Sequence, residues 1–131
     1  MDTRDRIFVA GHRGLVGGAI ARRLRADGFT NLLLADRDRI DLEDAAAVDA
    51  FFMHERPRYV FLAAAKVGGI LANSKAPVDF LERNLRIETN VIASAYRHGA
   101  TKLLFLGSSC IYPKFAPQPI TEDALLTGLL E

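Results

Sequence analysis

Four short, uninterrupted apolar runs alternate with amphipathic segments, and this alternation constrains the fold more than any other feature of the sequence. The runs cover residues 6–10, 31–35, 59–62 and 102–106, and helices are predicted over 15–27, 45–56 and about 78–98, with another starting near Asp123. Uninterrupted apolar strands are typical of a parallel sheet buried on both faces. Right-handed connections place the first strand centrally. The sequence therefore predicts a doubly wound α/β domain, incomplete because such sheets usually have about six strands.

A glycine-rich turn follows the first predicted strand and opens the first predicted helix. Its glycines, Gly11, Gly14 and Gly17, have the spacing G-x-x-G-x-x-G. Gly11 permits a tight turn, Gly14 lets the backbone approach a pyrophosphate, and Gly17 allows the helix to pack closely on the strand. The N–H groups at the helix start would face the phosphates. An ordinary glycine-rich turn can have this spacing, but its place at the first strand-to-helix junction predicts a dinucleotide site.

The residues after the second predicted strand leave two nicotinamide cofactors open. Asp36 lies 19 residues beyond Gly17, where a carboxylate binds the ribose 2′-OH of NAD. Arg13, Arg37 and Arg39 could instead bind the 2′-phosphate of NADP, or they could be solvated surface residues. If Asp36 points away from the cofactor and Arg37 points toward it, the cofactor is NADP, which is the alternative we favour.

A serine- and cysteine-bearing loop follows the fourth predicted strand, at the sheet edge where ligands bind in this class of fold. A hydroxyl from Ser108 could stabilise charge that develops on a substrate oxygen. Cys110 could exchange a proton at a carbon next to a carbonyl group. The alternative is that the serines only form a turn and that Cys110 is a small buried apolar residue. Tyr112 precedes a proline and is interpreted as a packing residue.

Composition excludes several classes of protein. The formal charge is +1, from 17 basic and 16 acidic residues, which argues against nucleic-acid binding by a basic surface. The longest apolar run has seven residues, 59–65, far fewer than the roughly 18 that indicate a membrane span. A single cysteine excludes an internal disulfide and a multi-cysteine metal site. We therefore expect a cytoplasmic protein without a metal, nucleic-acid or membrane partner.

Three segments carry a resemblance to a known family. The segments AGHRGLVGGAI, LAAAKVGGILAN and LLFLGSSCIYPK together resemble the GDP-L-fucose synthases, a family within the extended short-chain dehydrogenases/reductases. The resemblance extends over essentially the whole sequence. It implies that residues 1–131 are the N-terminal part of a Rossmann-like NADP-binding domain, followed in the full-length homodimer by a substrate domain. Such enzymes use NADPH to convert GDP-4-keto-6-deoxy-mannose to GDP-L-fucose, with epimerisation at C3 and C5 and reduction at C4.

The resemblance also implies roles for individual residues. Ser108 would belong to a catalytic serine–tyrosine–lysine set, and Cys110 would be the acid and base of the epimerisation. Asn90 would lie near the active-site strands, unless it is a helix residue without a ligand role. The sugar end of the cleft would hold Val67, Gly68 and Gly69. The cofactor would contact Gly11, His12, Arg13, Gly14, Leu15, Val16 and Gly17 at the pyrophosphate, Arg37, Asp38, Arg39, Ile40, Asp41 and Leu42 at the adenosine end, and Leu106, Gly107, Ser108 and Ser109 beneath the nicotinamide ribose.

One part of the family pattern is absent from these 131 residues. The tyrosines at 59, 96 and 112 are each followed four positions later by alanine, so the sequence holds no Tyr-x-x-x-Lys pair. The later histidine and the GDP-sugar-binding domain of the family are also absent. We interpret the sequence as the cofactor-binding part of such an enzyme, inactive by itself. The alternatives are another nucleotide-sugar epimerase or dehydratase, and a non-catalytic dinucleotide-binding module.

Overall fold

A four-stranded parallel sheet with helices on both faces forms the part of the chain that the computed structural model describes, residues 1–130. The strand order is β2-β1-β3-β4, so the predicted doubly wound fold and the central place of the first strand are confirmed. The elements in chain order are β1 (Ile7–Ala10), α1 (Leu15–Ala26), β2 (Leu32–Leu33), α2 (Ala45–Glu55), β3 (Tyr59–Leu62), α3 (Ile70–Lys75), α4 (Pro77–Arg97) and β4 (Lys102–Phe105), with 3-10 turns at Ser109–Ile111 and Glu122–Ala124.

The central strand β1 contributes to two apolar cores, one on each face of the sheet. Alternate side chains of a strand point to opposite faces, and all four residues of β1 are buried. Ile7 and Val9 pack with Leu24 of α1 on one face. Phe8 and Ala10 belong to the larger core on the other face, which α2 and α4 cover. Because β1 is buried on both faces, the helices packed against it on each side position its carboxyl end.

Local sequence determines where the helices begin and end. Asp44 caps α2, because its carboxylate accepts hydrogen bonds from the backbone N–H groups of Ala46 and Ala47, at 2.9 and 3.1 Å. The helix ends just before Pro57, as predicted, and Pro77 occupies the first turn of α4. Among residues 1–130, no helix is both long and apolar enough to span a membrane.

Two segments differ from the sequence-based expectation. The second strand was predicted over residues 31–35, but β2 contains only Leu32–Leu33, since its pairing with β1 ends with Leu33 opposite Phe8. The glycine-bearing segment after β3 was predicted to be a loop, yet Ile70–Lys75 forms the short helix α3. None of the residues of α3 is buried. A helix that buries no face leaves no apolar period in the sequence, and this explains the error.

An ion-pair cluster joins α2 to the end of α4. The carboxylate of Asp49 in α2 lies 2.9 Å from Nε2 of His98 and also accepts a hydrogen bond from Arg97. Hydrogen bonding from His98, with a further contribution from Arg97, holds the pKa of Asp49 below its usual value of 3.8. A carboxylate with a lowered pKa stabilises the fold above that usual value, and its contribution disappears as the pH falls through the lowered value.

We therefore expect Asp49→Asn to lower the melting temperature by a few degrees at pH 7 and by progressively less as the pH falls below 3.8. The measurement is thermal unfolding of both proteins between neutral and strongly acidic pH. Asp123→Asn is the matched control, because Asp123 is exposed and makes no ion pair within residues 1–130. A constant difference between Asp49→Asn and the wild type at every pH would show that the carboxylate charge does not stabilise the α2–α4 contact.

Candidate functional site

A cleft of about 700 Å³ opens at the carboxyl ends of β1, β2 and β3. This size is in the range of small-molecule and cofactor sites. The position is the switch point at which the chain changes from one side of β1 to the other, where ligands bind in doubly wound sheets. The residues that line the cleft are Gly11, His12, Arg13, Gly14, Leu15, Val16, Ala35, Asp36, Arg37, Asp38, Ile40, Asp41, Leu42, Glu43, Ala63, Ala64, Ala65, Lys66, Val67, Arg83 and Ile87.

The glycine-rich turn forms the floor of the cleft and requires glycine at two positions. Gly11 has a φ of +82°, and a Cβ atom there would lie 2.7 Å from the carbonyl oxygen of Ala63. A Cβ atom at Gly17 would lie 2.2 Å from the carbonyl oxygen of Gly11. Gly17 does not line the cleft itself. Its lack of a side chain lets the start of α1 lie directly against the turn, as the sequence predicted.

The start of α1 is available to an anion. Gly14 is its capping residue and provides no side-chain hydrogen bond, and the first turn of the helix contains no acidic residue. The backbone N–H of Gly14 donates to the carbonyl of Gly11 at 2.9 Å, which closes the turn beneath the helix. Free N–H groups and the positive end of the helix dipole favour a phosphate at this place.

Basic and acidic side chains are paired at the end of the cleft beyond β2. Asp36 forms an ion pair with Arg13, and its carboxylate lies 3.4 Å from Nε2 of His12. Arg37 lies 3.2 Å from Glu43 and 3.5 Å from Asp41. Asp36 and Arg37 both line the cleft. The side chains that could bind a ribose hydroxyl and a 2′-phosphate are therefore both present.

The side chain of Arg39 lies outside the cleft. Its guanidinium is 2.5 Å from the carboxylate of Glu55, at the end of α2, and packs over the ring of Phe51. The side chain of Glu55 is only 12% exposed, so Arg39 neutralises a nearly buried charge. Arg39 does not line the cleft, and its predicted contact with the cofactor remains untested.

Glu43 and Arg83 also line the cleft and are in direct contact with each other, and the sequence did not point to either of them. Arg83 of α4 donates from Nε and Nη2 to the same oxygen of Glu43, at 2.9 and 2.7 Å. Hydrogen bonding to Glu43 raises the pKa of the Arg83 guanidinium above its usual value. The two residues are 40 positions apart. No local motif connects them, although the parallel-sheet topology places the segment before α2 close to α4.

Two asparagines of α4 hold the loops that line the cleft. Asn84 accepts a hydrogen bond from the backbone N–H of Lys66 at 2.7 Å and donates to its carbonyl at 2.9 Å. Asn90 donates to the carbonyl of Leu42 at 3.0 Å, so Asn90 supports the loop between β2 and α2. Lys66 itself forms an ion pair with Asp79 and lies over the ring of Phe80.

The serine- and cysteine-bearing loop leaves the sheet at the same edge, one strand further along. The N–H of Leu106 donates to the carbonyl of Leu62 at 3.2 Å and continues the β3–β4 pairing. The hydroxyl oxygen of Ser108 accepts a hydrogen bond from the N–H of Cys110 at 3.2 Å, so its proton stays available to a substrate. Cys110 is exposed, which contradicts the alternative that it is a buried apolar residue.

The predicted site residues are therefore only partly brought together. Those that line the cleft are Gly11, His12, Arg13, Gly14, Leu15, Val16, Arg37, Asp38, Ile40, Asp41, Leu42 and Val67. Those outside its lining are Gly17, Arg39, Gly68, Gly69, Leu106, Gly107, Ser108, Ser109 and Cys110. Within residues 1–130, no group of three or more histidine, cysteine, aspartate or glutamate side chains could hold a metal ion.

The sequence is similar to known proteins over almost its whole length. The model of the NAD dependent epimerase/dehydratase family matches residues 7–129. GDP-L-fucose synthase 1 of Arabidopsis thaliana is 65% identical over 130 residues, which are 99% of this chain and 40% of that protein. The chain thus spans about 40% of the length of the curated relatives it matches. The predicted resemblance is confirmed.

Solved structures agree with these sequence matches. A GDP-mannoheptose C4 reductase from Campylobacter jejuni with NADP bound has a TM-score of 0.93 and 41% identity, over 100% of this chain and 41% of that one. A GDP-L-fucose synthetase from Naegleria fowleri bound to NADP has a TM-score of 0.85 and 30% identity, over 100% of this chain and 42% of that one. The fold, the position of the cleft and the family match point to one class of enzyme.

Proposed function

Since this chain belongs to the NAD-dependent epimerase/dehydratase family, we propose that it is the cofactor-binding part of an enzyme that converts GDP-4-keto-6-deoxy-mannose to GDP-L-fucose with NADPH. The observation that carries the proposal is the cradle formed by Gly11, Gly14 and Gly17 beneath the start of α1. The similarity to the Arabidopsis synthase over 99% of this chain supports the choice of substrate.

The residues present fit a dinucleotide with a 2′-phosphate. The glycine turn and the uncapped start of α1 would hold the pyrophosphate. Arg13 and Arg37 would hold the 2′-phosphate, since both line the adenosine end of the cleft. Asp38, Ile40, Asp41 and Leu42 form the wall beside them, where the adenine would lie.

The chain's own residues would act on the keto-sugar at the end of β4. When bound, NADPH supplies the hydride that reduces C4 of the sugar. The Ser108 hydroxyl would donate a hydrogen bond to the C4 oxygen, and the thiol of Cys110 would move protons at C3 and C5. Val67, Gly68 and Gly69 would border the sugar. Because residues 1–131 contain no Tyr-x-x-x-Lys pair, we propose that this segment alone binds cofactor without turnover.

Arg37 provides the test of the cofactor. A charge-assisted contact to a phosphate contributes roughly 1.5–3 kcal/mol, so Arg37→Ala is expected to weaken NADPH binding by about 10- to 100-fold and to change NADH binding little. The measurement is a titration of both cofactors against wild type and variant. Arg25→Ala removes an exposed arginine at the far end of α1 and should change neither affinity. If wild type binds NADH as tightly as NADPH, the 2′-phosphate contributes nothing to binding and the NADP proposal is wrong.

A second candidate function is a GDP-sugar C4 reductase that performs no epimerisation. It is favoured by the similarity to the Campylobacter jejuni reductase, at 41% identity and a TM-score of 0.93. Solvent deuterium distinguishes the two functions, because epimerisation at C3 and C5 exchanges carbon-bound protons and simple reduction at C4 does not. The cytoplasmic location and the homodimer expected for the full-length protein remain predictions.

A further inference from the structure

One oxygen atom at the adenosine end of the cleft is shared by two guanidinium groups. Oε1 of Glu43 accepts two N–H groups of Arg83 at 2.7 and 2.9 Å, and Nη2 of Arg37 lies 3.2 Å from the same oxygen. The side chain of Glu43 is 18% exposed and that of Arg83 is 29% exposed, whereas that of Arg37 is 65% exposed. Arg83 is therefore the firmer partner of Glu43, and Arg37 is the one that is free to move.

The charges of the cleft cancel. Its lining contains four basic side chains, of Arg13, Arg37, Lys66 and Arg83, and four acidic side chains, of Asp36, Asp38, Asp41 and Glu43. A 2′-phosphate bound to Arg37 would lie close to Glu43, because that arginine and Glu43 are already 3.2 Å apart. Charges at such separations lie within the roughly 8 Å over which salt screens them at physiological ionic strength. The negative charge of Glu43 would then oppose the phosphate unless another cation neutralised it.

We propose that Arg83 is a specificity-determining residue, which neutralises Glu43 so that the arginine at the cleft rim can bind the 2′-phosphate of NADPH. The inference rests on the proposed NADP-dependent function and adds a residue of α4 to it. A cofactor with a 2′-hydroxyl brings no charge to this place and does not need the neutralisation. Arg83 thus acts through Glu43 on the preference for NADPH over NADH.

The first variant removes the positive charge of Arg83 and keeps the apolar part of its side chain. Arg83→Met is expected to weaken NADPH binding by about three- to tenfold and to leave NADH binding within about twofold of the wild type. The double variant Glu43→Gln/Arg83→Met removes both charges and should restore NADPH affinity to within about twofold. Arg83→Lys keeps the positive charge and should retain most of the preference. Calorimetric titrations at fixed salt, in the full-length protein, give the affinities of the wild type and the three variants for NADPH and for NADH.

A failure of the role inferred for Arg83 and a failure of the proposed function would give different results. Equal weakening of NADPH and NADH binding by Arg83→Met would overturn the inference, since it would mean that Arg83 contacts a shared part of the cofactor or only supports the fold. A double variant as weak as Arg83→Met would also overturn it. A wild-type protein that binds neither dinucleotide would overturn the proposed function itself. Thermal unfolding of each variant is measured alongside, and Arg83→Gln, which removes the positive charge but can still donate a hydrogen bond to Glu43, replaces Arg83→Met if that variant does not fold.

Discussion

Replacing Gly17 with alanine is expected to weaken dinucleotide binding by about 5- to 100-fold, since the added methyl group forces the start of α1 away from the glycine-rich turn at a cost of about 1–3 kcal/mol. The new Cβ atom would lie 2.2 Å from the carbonyl oxygen of Gly11 and 2.7 Å from its carbonyl carbon. Both are backbone atoms of the glycine-rich turn, so the rotation of a side chain cannot relieve the clash. The start of α1 must move off the turn, and we expect the free energy of unfolding to fall by about 1–3 kcal/mol as well.

The neighbouring position provides the matched control. A Cβ atom at Gly18 would lie 3.2 Å from the carbonyl oxygen of His12 and 3.3 Å from Nη1 of Arg22, a flexible side chain. Gly18→Ala also gains about 1 kcal/mol of helix propensity, so we expect a small change in stability and nearly normal NADPH binding. Titration and chemical denaturation of both variants make the comparison. Normal binding by Gly17→Ala would mean that the close contact between α1 and the turn does not position the cofactor.

Ser108→Ala is expected to lower turnover of the keto-sugar by roughly 10²- to 10³-fold in the full-length protein, the loss typical of a missing oxyanion donor. In the structure the oxygen of Ser108 already accepts from the N–H of Cys110, so its proton is free to bind the C4 oxygen. Because the proposed pyrophosphate and 2′-phosphate contacts lie in the cleft and do not involve Ser108, NADPH affinity should fall far less than turnover. NADPH consumption gives the rate, and a titration gives the affinity.

Cys110→Ser is the matched comparison within the same loop. A hydroxyl gives up its proton far less readily than a thiol, so the variant should slow deuterium incorporation at C3 and C5 and bind NADPH normally. Ser108→Ala and Cys110→Ser are thus expected to fail at different steps, which mass spectrometry of the sugar resolves. If Cys110→Ser exchanges deuterium at the wild-type rate, the exposed thiol has no role in proton transfer. If Ser108→Ala turns over normally, the hydroxyl does not polarise the carbonyl group.

The fold could be predicted because its determinants are local. Each apolar run of four or five residues predicted a strand, and Gly11 and Pro57 marked where elements end. Segments without a buried face could not be predicted in this way. Helix α3 buries no residue, and the pairing of β2 with β1 stops at Leu33. In both cases the tertiary surroundings, rather than the local pattern, determine the extent of the element.

The cleft was predictable only where its residues belong to a contiguous motif. The turn from Gly11 to Val16 and the segment around Arg37 follow strand ends, and topology alone places such segments at the carboxyl edge. Glu43 and Arg83 are 40 residues apart and come from a loop and the middle of a helix. Their pairing depends on how α4 lies against the segment before α2. Likewise, no local pattern indicates that Arg39 pairs with Glu55, which lies 16 residues further along the chain.

Helix α4 has 21 residues and is therefore about 30 Å long, and its contacts limit how the cleft can change shape. Asn84 holds both backbone groups of Lys66, and Asn90 holds the carbonyl of Leu42. At the other end of the helix, the capping residue His98 contacts the carboxylate of Asp49 in α2. The loop that contains Lys66 and the loop that contains Leu42 are thus hydrogen-bonded to one helix. Because both loops are hydrogen-bonded to the same helix, we expect a shift of α4 to move the two sides of the cleft together.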